Sequence, residues 1–351
     1  METRNGLPEA TLERILAAGV LAPAADNHHE FRFSSSGGRI VVETTAAYRA
    51  ASAQTRLLAS ISYGAVVENM LIAASACGWQ GTPHWFPSQD AVCEIDFSPA
   101  DNWVEGLAPF IPLRHTNRRF FSGPPLGAEA QAALAGEVAK VEGVKLIWLD
   151  AREVRRDALR LMRLAEGERF RIESLHHELF SSLRFDVGFG ASCAQGIPPG
   201  ATEVEVPLRP MFRLMRHWPA MRALNLLGAW RMMGWRAADL PARFSPHLVA
   251  IAVEVDDPLA AARAGAGLER AWLKATQLGL EVQPLVAAAV FAFEQFDAIS
   301  MSMRERMRSG WRRLAPGTVP YVLLRLGHAP PPTVRSGRPP LSAFLRVPSE
   351  A

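Results

Sequence analysis

The residues with the clearest chemical potential are Arg114, Thr116 and Arg118, in the string Arg114-His115-Thr116-Asn117-Arg118-Arg119-Phe120. On an extended chain these alternate positions share one edge, so two guanidinium forks flank one hydroxyl. Bidentate, charge-assisted bonds from arginine and a shorter one from threonine suit a phosphate monoester. The same spacing also describes a solvated basic loop whose charges stay in water. Near the other end of the chain, Arg335-Ser336-Gly337-Arg338 repeats the combination of arginine and hydroxyl.

Other catalytic constellations are missing from the sequence. There is no nucleophile elbow, paired-carboxylate spacing or Walker pattern, so neither acyl transfer nor nucleotide hydrolysis is indicated. Cys77, Cys93 and Cys193 are far apart, odd in number and outside any C-x-x-C arrangement, which favours incidental thiols over a disulfide or metal. His28-His29 and His176-His177 are adjacent pairs whose side chains diverge on a helix, so zinc is not expected.

The 351 residues are 49% hydrophobic and 21% charged, the composition of a packed globular chain. A net charge of +3, spread along the length, argues against nucleic acid as the main partner. Met1–Pro8 lacks a leader pattern and no apolar run is long and clean enough to span a bilayer, so a cytoplasmic protein is expected.

The elements that must position these residues follow from periodicity and punctuation. Helices are expected over Thr11–Ala22 with Thr11 as N-cap, over Tyr63–Cys77 closed by Gly78, over Ala128–Val141 and over Leu259–Leu278 closed by Gly279. Strands are expected over Phe31–Phe33 and Arg39–Glu43, separated by a turn at Ser36-Gly37-Gly38, then over Ala91–Phe97, Val144–Leu149, His247–Val253 and Pro320–Leu326. A proline-rich passage, Ala108–Leu126, separates a first part from a second. Ala151–Leu183 reads as a long charged helical region, and 186–242 is the least regular stretch. After Gly327 the proline-rich tail can only wrap over something already folded.

One helix repeats. Gly64-Ala65, Glu68, Ala74, Gly78 and Pro83 recur as Gly265-Ala266, Glu269, Ala275, Gly279 and Pro284 at a constant, gap-free offset. That register favours a duplicated unit over two unrelated buried helices. A duplicated α/β unit packs like a homodimer about a pseudo-twofold axis, a common place for a cofactor cleft.

With these pieces in order, the chain resembles the FMN-dependent nitroreductase superfamily. Arg-x-Thr-x-Arg-x-Phe followed by Pro-Leu, a helix and a strand is similar to that family's phosphate-gripping opening. Leu21 to Phe33 resembles its A-P-S-x-x-N-x-Q-P-W-x-F segment, with Gln283-Pro284-Leu285 and Arg335 to Arg338 resembling its later flavin-side and terminal arginine motifs. The resemblance is to the single-chain tandem branch of dormancy-associated nitroreductase-like proteins, some of which lack flavin. It implies an α+β nitroreductase-like fold of two pseudo-repeated halves around mixed or antiparallel sheets: residues 1–107, then 108–351 with a helical insert at about 150–245. One complete flavin site and one degenerate site are expected between the halves, in a monomer that mimics a dimer. The implied FMN contacts are Pro23, Ala24, Asn27, Arg114, Thr116, Asn117, Arg118, Gln283, Pro284, Arg335 and Arg338. NAD(P)H would be the reductant and a small organic molecule the electron acceptor, with the cofactor carrying the redox chemistry. Two departures stand out: Ala24 replaces a serine donor, and His29-Glu30-Phe31 replaces Gln-Pro-Trp, placing a carboxylate near the expected anion. The alternative is a flavin-free or flavin-sequestering binding protein whose insert closes the cleft.

The insert has a composition of its own. Across 209–236 there are six arginines, five methionines and three tryptophans, and no acidic residue. That suits helices packed on the core, a lid over the cleft, or contact with a membrane surface.

Overall fold

The computed structural model describes residues 6–36, 38–100 and 105–346, so the expected turn glycine Gly37 lies outside the described residues. The first half runs α1 (Glu9–Val20), β1 (Phe31–Ser36), β2 (Arg39–Thr44), α2 (Ala46–Ala50), α3 (Ala53–Ala76), β3 (Trp79–Trp85) and β4 (Ala91–Pro99). The second runs α4 (Ala128–Ala139), β5 (Val144–Trp148), then α5 (Arg152–Arg171), α6 (Glu173–Ser181), α7 (Arg209–Met215), α8 (Trp218–Leu226), α9 (Ala229–Gly234) and α10 (Leu240–Phe244). It closes with β6 (His247–Val253), α11 (Ala260–Gln277), β7 (Glu281–Leu285), α12 (Ala287–Val290), α13 (Met301–Leu314) and β8 (Val319–Gly327).

The strands form two four-stranded sheets, ordered β1-β2-β4-β3 and β5-β6-β8-β7, and every pairing is antiparallel. The two orders are one topology written twice. In each half a helix precedes the first strand and a long helix joins the second strand to the third. The fold is therefore α+β, in two halves within one chain. The second half differs by what it inserts: α5–α10 stand where the first half has the turn between β1 and β2, and α12–α13 stand between β7 and β8.

At the centre, α3 packs on α11. Unlike an amphipathic surface helix, α3 is buried on most sides, from Ser62 through Met70 without a break. It is long and apolar enough to cross a membrane, but two thirds of that window (67%) lies inside the protein. Each sheet closes its own core. One gathers Phe31, Phe33, Ile40, Val42 and Met70, and the other Val249, Ile251, Trp272, Leu323 and Leu324. The insert docks on α5 through small residues, since a side-chain carbon at Gly234 would fall 2.2 Å from the Arg163 carbonyl.

Several expected boundaries move. α3 begins at Ala53, ten residues before the apolar run, because Ser52 caps it by accepting from the Thr55 N–H. The expected cap Thr11 lies inside α1, which starts after Pro8 without a side-chain cap. Trp79–Trp85 and Glu281–Leu285 are strands that the sequence pattern does not single out. Each carries a proline and sits at the edge of its sheet, where a missing N–H costs no ladder bond. α13 is a further helix outside those expected, although Met307, Gly310 and Trp311 recur on one buried face at helical spacing.

The proline-rich tail crosses from the second half to the first. Phe344 stacks on Phe31 with centroids 5.0 Å apart, and the backbone pairs with Phe33 through bonds of 2.7 and 2.9 Å. The segment around Thr116 instead lies along β7, with the Asn117 N–H donating to the Val282 carbonyl at 2.9 Å.

Candidate functional site

Three stretches of chain meet at Asn27. Pro23 follows the end of α1, Ala24 is extended, and Asp26 and Asn27 both adopt left-handed backbone at φ 51° and 57°. Asp and Asn tolerate that region better than other non-glycine residues, at some cost in strain. The kink turns Asn27 inward, where it is buried. Its amide Nδ2 lies within 3.2 Å of the Ala194 carbonyl, 3.0 Å of Gly196 and 3.3 Å of Gly337, while its Oδ1 accepts from Arg338. Asn27 thus ties the first-half loop to the insert and to the tail, with its amide hydrogens directed at protein carbonyls.

Next to it sits a buried cationic pair. Arg338 donates to Ala22 O at 2.9 Å, and Arg114 donates to Leu21 O at 2.7 Å, so both guanidiniums bind carbonyls just beyond the end of α1. Arg114 also lies 3.3 Å from Glu269 and 4.5 Å over the Trp272 ring. Burial, reinforced by Arg114, pulls Arg338 down to about 9. Burial pushes Glu269 up to about 7, against the pull of Arg114, Asn69 and Arg338. Two guanidiniums therefore face one reluctant carboxylate. Arg114 Nε meets Glu269 Oε1 as this 3.3 Å ion pair without hydrogen-bond geometry, and Arg338 Nε is buried without a hydrogen-bond partner among the described residues.

A second cationic group centres on Arg118 and Arg325. Arg118 donates to Ala201 O at 3.1 Å; burial lowers its pKa, while Asp26 and Glu203 oppose and Arg169 adds to the lowering. Arg325 is fully buried on β8 and faces Gln283 because the two are register partners across β7 and β8. Its Nε donates to Gln283 Oε1 at 2.5 Å, its Nη2 to Arg119 O at 2.7 Å, and its plane lies 3.8 Å over Phe121. Burial, with Arg118 nearby, lowers it to about 9, and Nη1 has no partner. Arg325 was not among the expected site residues. Its signal in the sequence is a single charge inside the apolar run Tyr321–Leu326.

The expected phosphate set is therefore divided. Arg114 and Arg338 come together, Arg118 joins Arg325, and Arg335 is exposed, with its field falling on Glu281, which pairs with His115 at 2.9 Å. Asn117 is structural: its Nδ2 donates to Pro330 O at 2.9 Å and its Oδ1 accepts from the Arg119 N–H. Thr116 lies beside Val282 in a parallel bridge, and Pro284 pairs with Leu324 in the sheet. Glu30, feared as a misplaced charge, accepts from Thr45 at 2.6 Å within the first half. His29 is buried and held down to about 3, chiefly by desolvation, so it stays neutral at physiological pH.

The pseudo-equivalent seam has the opposite polarity. Glu68 follows Gly64 at the same spacing as Glu269 follows Gly265, yet Glu68 is met by Arg270 Nε at 2.6 Å, where the neighbour of Glu269 is Asn69. Arg270 also reaches Glu105 at 3.1 Å and Glu137 at 3.2 Å. Burial raises Glu68, and Glu105 and Glu137 add to that. A cavity of about 720 Å³ opens here between Trp79, Trp85, Glu68 and Arg270. Three carboxylates around one arginine repel a phosphate, so the two seams are chemically unequal.

No protein-family model matches the chain. It is 27% identical over 286 residues to a Mycobacterium tuberculosis protein provisionally named an NAD(P)H nitroreductase, covering 78% of this chain and 74% of that one. An uncharacterized M. tuberculosis protein is 25% identical over 345 residues, which are 94% of this chain but 47% of the relative. The chain thus spans about half the length of that relative. An FMN-bound nitroreductase from Bacteroides fragilis covers 65% of this chain and 90% of its own at 13% identity and TM-score 0.36. An FMN-dependent nitroreductase from Mycobacterium smegmatis in complex with NADPH covers 68% and 96% at 13% identity and TM-score 0.38. Superpositions this loose carry no residue role or ligand across.

Proposed function

We infer that this chain, a single-chain member of the nitroreductase superfamily, is an FMN-dependent NAD(P)H oxidoreductase acting on a small organic acceptor. The observation that carries this reading is the surplus of buried guanidinium at one seam only. Arg114 and Arg338 outnumber Glu269, and a buried donor without a hydrogen-bond partner among the described residues remains on Arg338. Buried charge without compensation is costly, and a bound dianion relieves it. The donor set fits a phosphate-bearing cofactor. In this reading Arg114 and Arg338 hold the phosphate, while Arg118 belongs to the separate cationic group with Arg325, which acts through Gln283. FMN, when bound, supplies hydride acceptance from NAD(P)H and onward transfer of electrons. The protein's share is to bind, orient and exclude water.

The same reading divides the chain into 1–107 and 108–351, derived by duplication, and has it act as a monomer in the cytoplasm. The identical strand orders and the shared helix register support the duplication.

A second reading, a flavin-free or flavin-sequestering binding protein, is favoured by the insert. Its carbonyls at Ala194, Gly196 and Ala201 occupy Asn27 and Arg118 directly. The visible absorption spectrum, taken before and after incubation with FMN and desalting, separates the two. Retention of about one flavin per chain, reducible by NADH or NADPH, supports the oxidoreductase. A colourless protein that takes up no FMN overturns it in favour of the second reading.

A further inference from the structure

We propose that the α7–α9 arm of the insert is a docking surface for an anionic lipid membrane. The inward face of the arm is fully used: Phe212, Met215, Trp218, Met221, Trp230 and Met233 pack with Phe170 and Phe180 in a cluster of their own. Core packing therefore gives no reason for the apolar residues that point out. Leu226 and Leu227 are 87% and 88% exposed at the turn between α8 and α9, and Met232 is 61% exposed just beyond. Scattered exposed leucines are ordinary, but an adjacent pair at the apex of a helical hairpin is not.

The charge around this apex is one-sided. Of the six arginines from Arg209 to Arg236, only Arg236 pairs with a carboxylate, Glu205, among the described residues. Arg209 and Arg213 lie over Phe189, Arg216 over Phe185 and Arg231 over Trp230, while Arg222 is exposed and unpaired among the described residues. A groove of about 290 Å³ beside Leu226 is walled by Arg171, Arg222, Trp218 and Trp230, with Glu173 as its one acidic lining residue. Of the acids on α5 and α6 beside the groove, Glu168 pairs with Arg171, and Glu173 lies near His177. Arginine for headgroup phosphates, tryptophan at the interface and leucine for the acyl boundary are the chemistry of an in-plane membrane contact. The exposed leucine pair favours a membrane over a nucleic acid, which offers no apolar layer to receive it.

Sedimentation of the full-length protein with vesicles tests this directly. Vesicles of phosphatidylcholine with phosphatidylglycerol should carry the protein down at low salt, with less at physiological salt, and vesicles of phosphatidylcholine alone should leave it in solution. Leu226→Ser with Leu227→Ser should weaken the partition about tenfold or more, and Arg222→Gln with Arg231→Gln should reduce its salt dependence. All four positions are exposed or at a turn, so melting temperature and flavin content serve as controls that should not move. No sedimentation with the anionic vesicles at low salt overturns the proposal. So does sedimentation that survives loss of the leucine pair, which would mark a purely electrostatic surface open to any polyanion.

Discussion

Gly64 of α3 and Gly265 of α11 are reciprocal: a side-chain carbon on Gly64 would lie 1.8 Å from the Ala262 carbonyl oxygen, and one on Gly265 would lie 1.8 Å from that of Ile61. The two contacts exchange under the same offset that relates the two helices, so both glycines let the backbones touch. Neither carbonyl can move without disturbing its helix. Gly64→Ala and Gly265→Ala should each cost about 3 kcal/mol or more, by overpacking the central helix pair. Denaturant unfolding of the two variants checks this, and losses under about 1 kcal/mol would show that the helices separate easily.

Arg114 and Arg338 are the pair on which flavin retention is expected to rest. Arg114→Ala with Arg338→Ala should abolish retention of FMN after desalting. Arg335→Ala should leave retention within about twofold, because an exposed side chain is screened by water. Full retention in the double variant removes the phosphate assignment.

Glu269 gives the site a pH signature. Its pKa is raised to about 7 by burial, so from about 4.5 upward the unfolded chain ionises before the folded one does. The contribution of this group to stability is complete below the unfolded value and is lost as pH rises through about 7. Relative to Glu269→Gln, the wild type should lose up to about 3 kcal/mol of stability between pH 4.5 and 8. Parallel stability curves for the two proteins across that window would contradict the buried, raised carboxyl.

Arg270 holds the opposite seam together. Arg270→Met would leave Glu68, Glu105 and Glu137 facing one another without the cation that pairs with all three, at a cost of about 3–5 kcal/mol. Adding Glu68→Gln should recover part of that loss, since one of the stranded charges disappears. A double variant no more stable than the single one would show that Arg270 acts through packing.

The sequence by itself determined what local chemistry can encode. The glycine-bounded helices, the buried strands His247–Val253 and Pro320–Leu326, and the gap-free register from Gly64 to Pro83 and Gly265 to Pro284 are legible because spacing along one chain defines them. The arginines of the site were legible as residue types for the same reason. Tertiary structure alone decided which of them meet. Arg114 joins Arg338 because the tail crosses to the first half, whereas Arg335, three residues earlier, is left in solvent. Arg325 enters because β7 and β8 set it opposite Gln283. Asn27 clamps the insert because the insert, whose path no periodicity announces, delivers its carbonyls there. Polarity at each seam was decided the same way, since Glu68 and Glu269 are equivalent in sequence and differ only in the groups that folding brings against them.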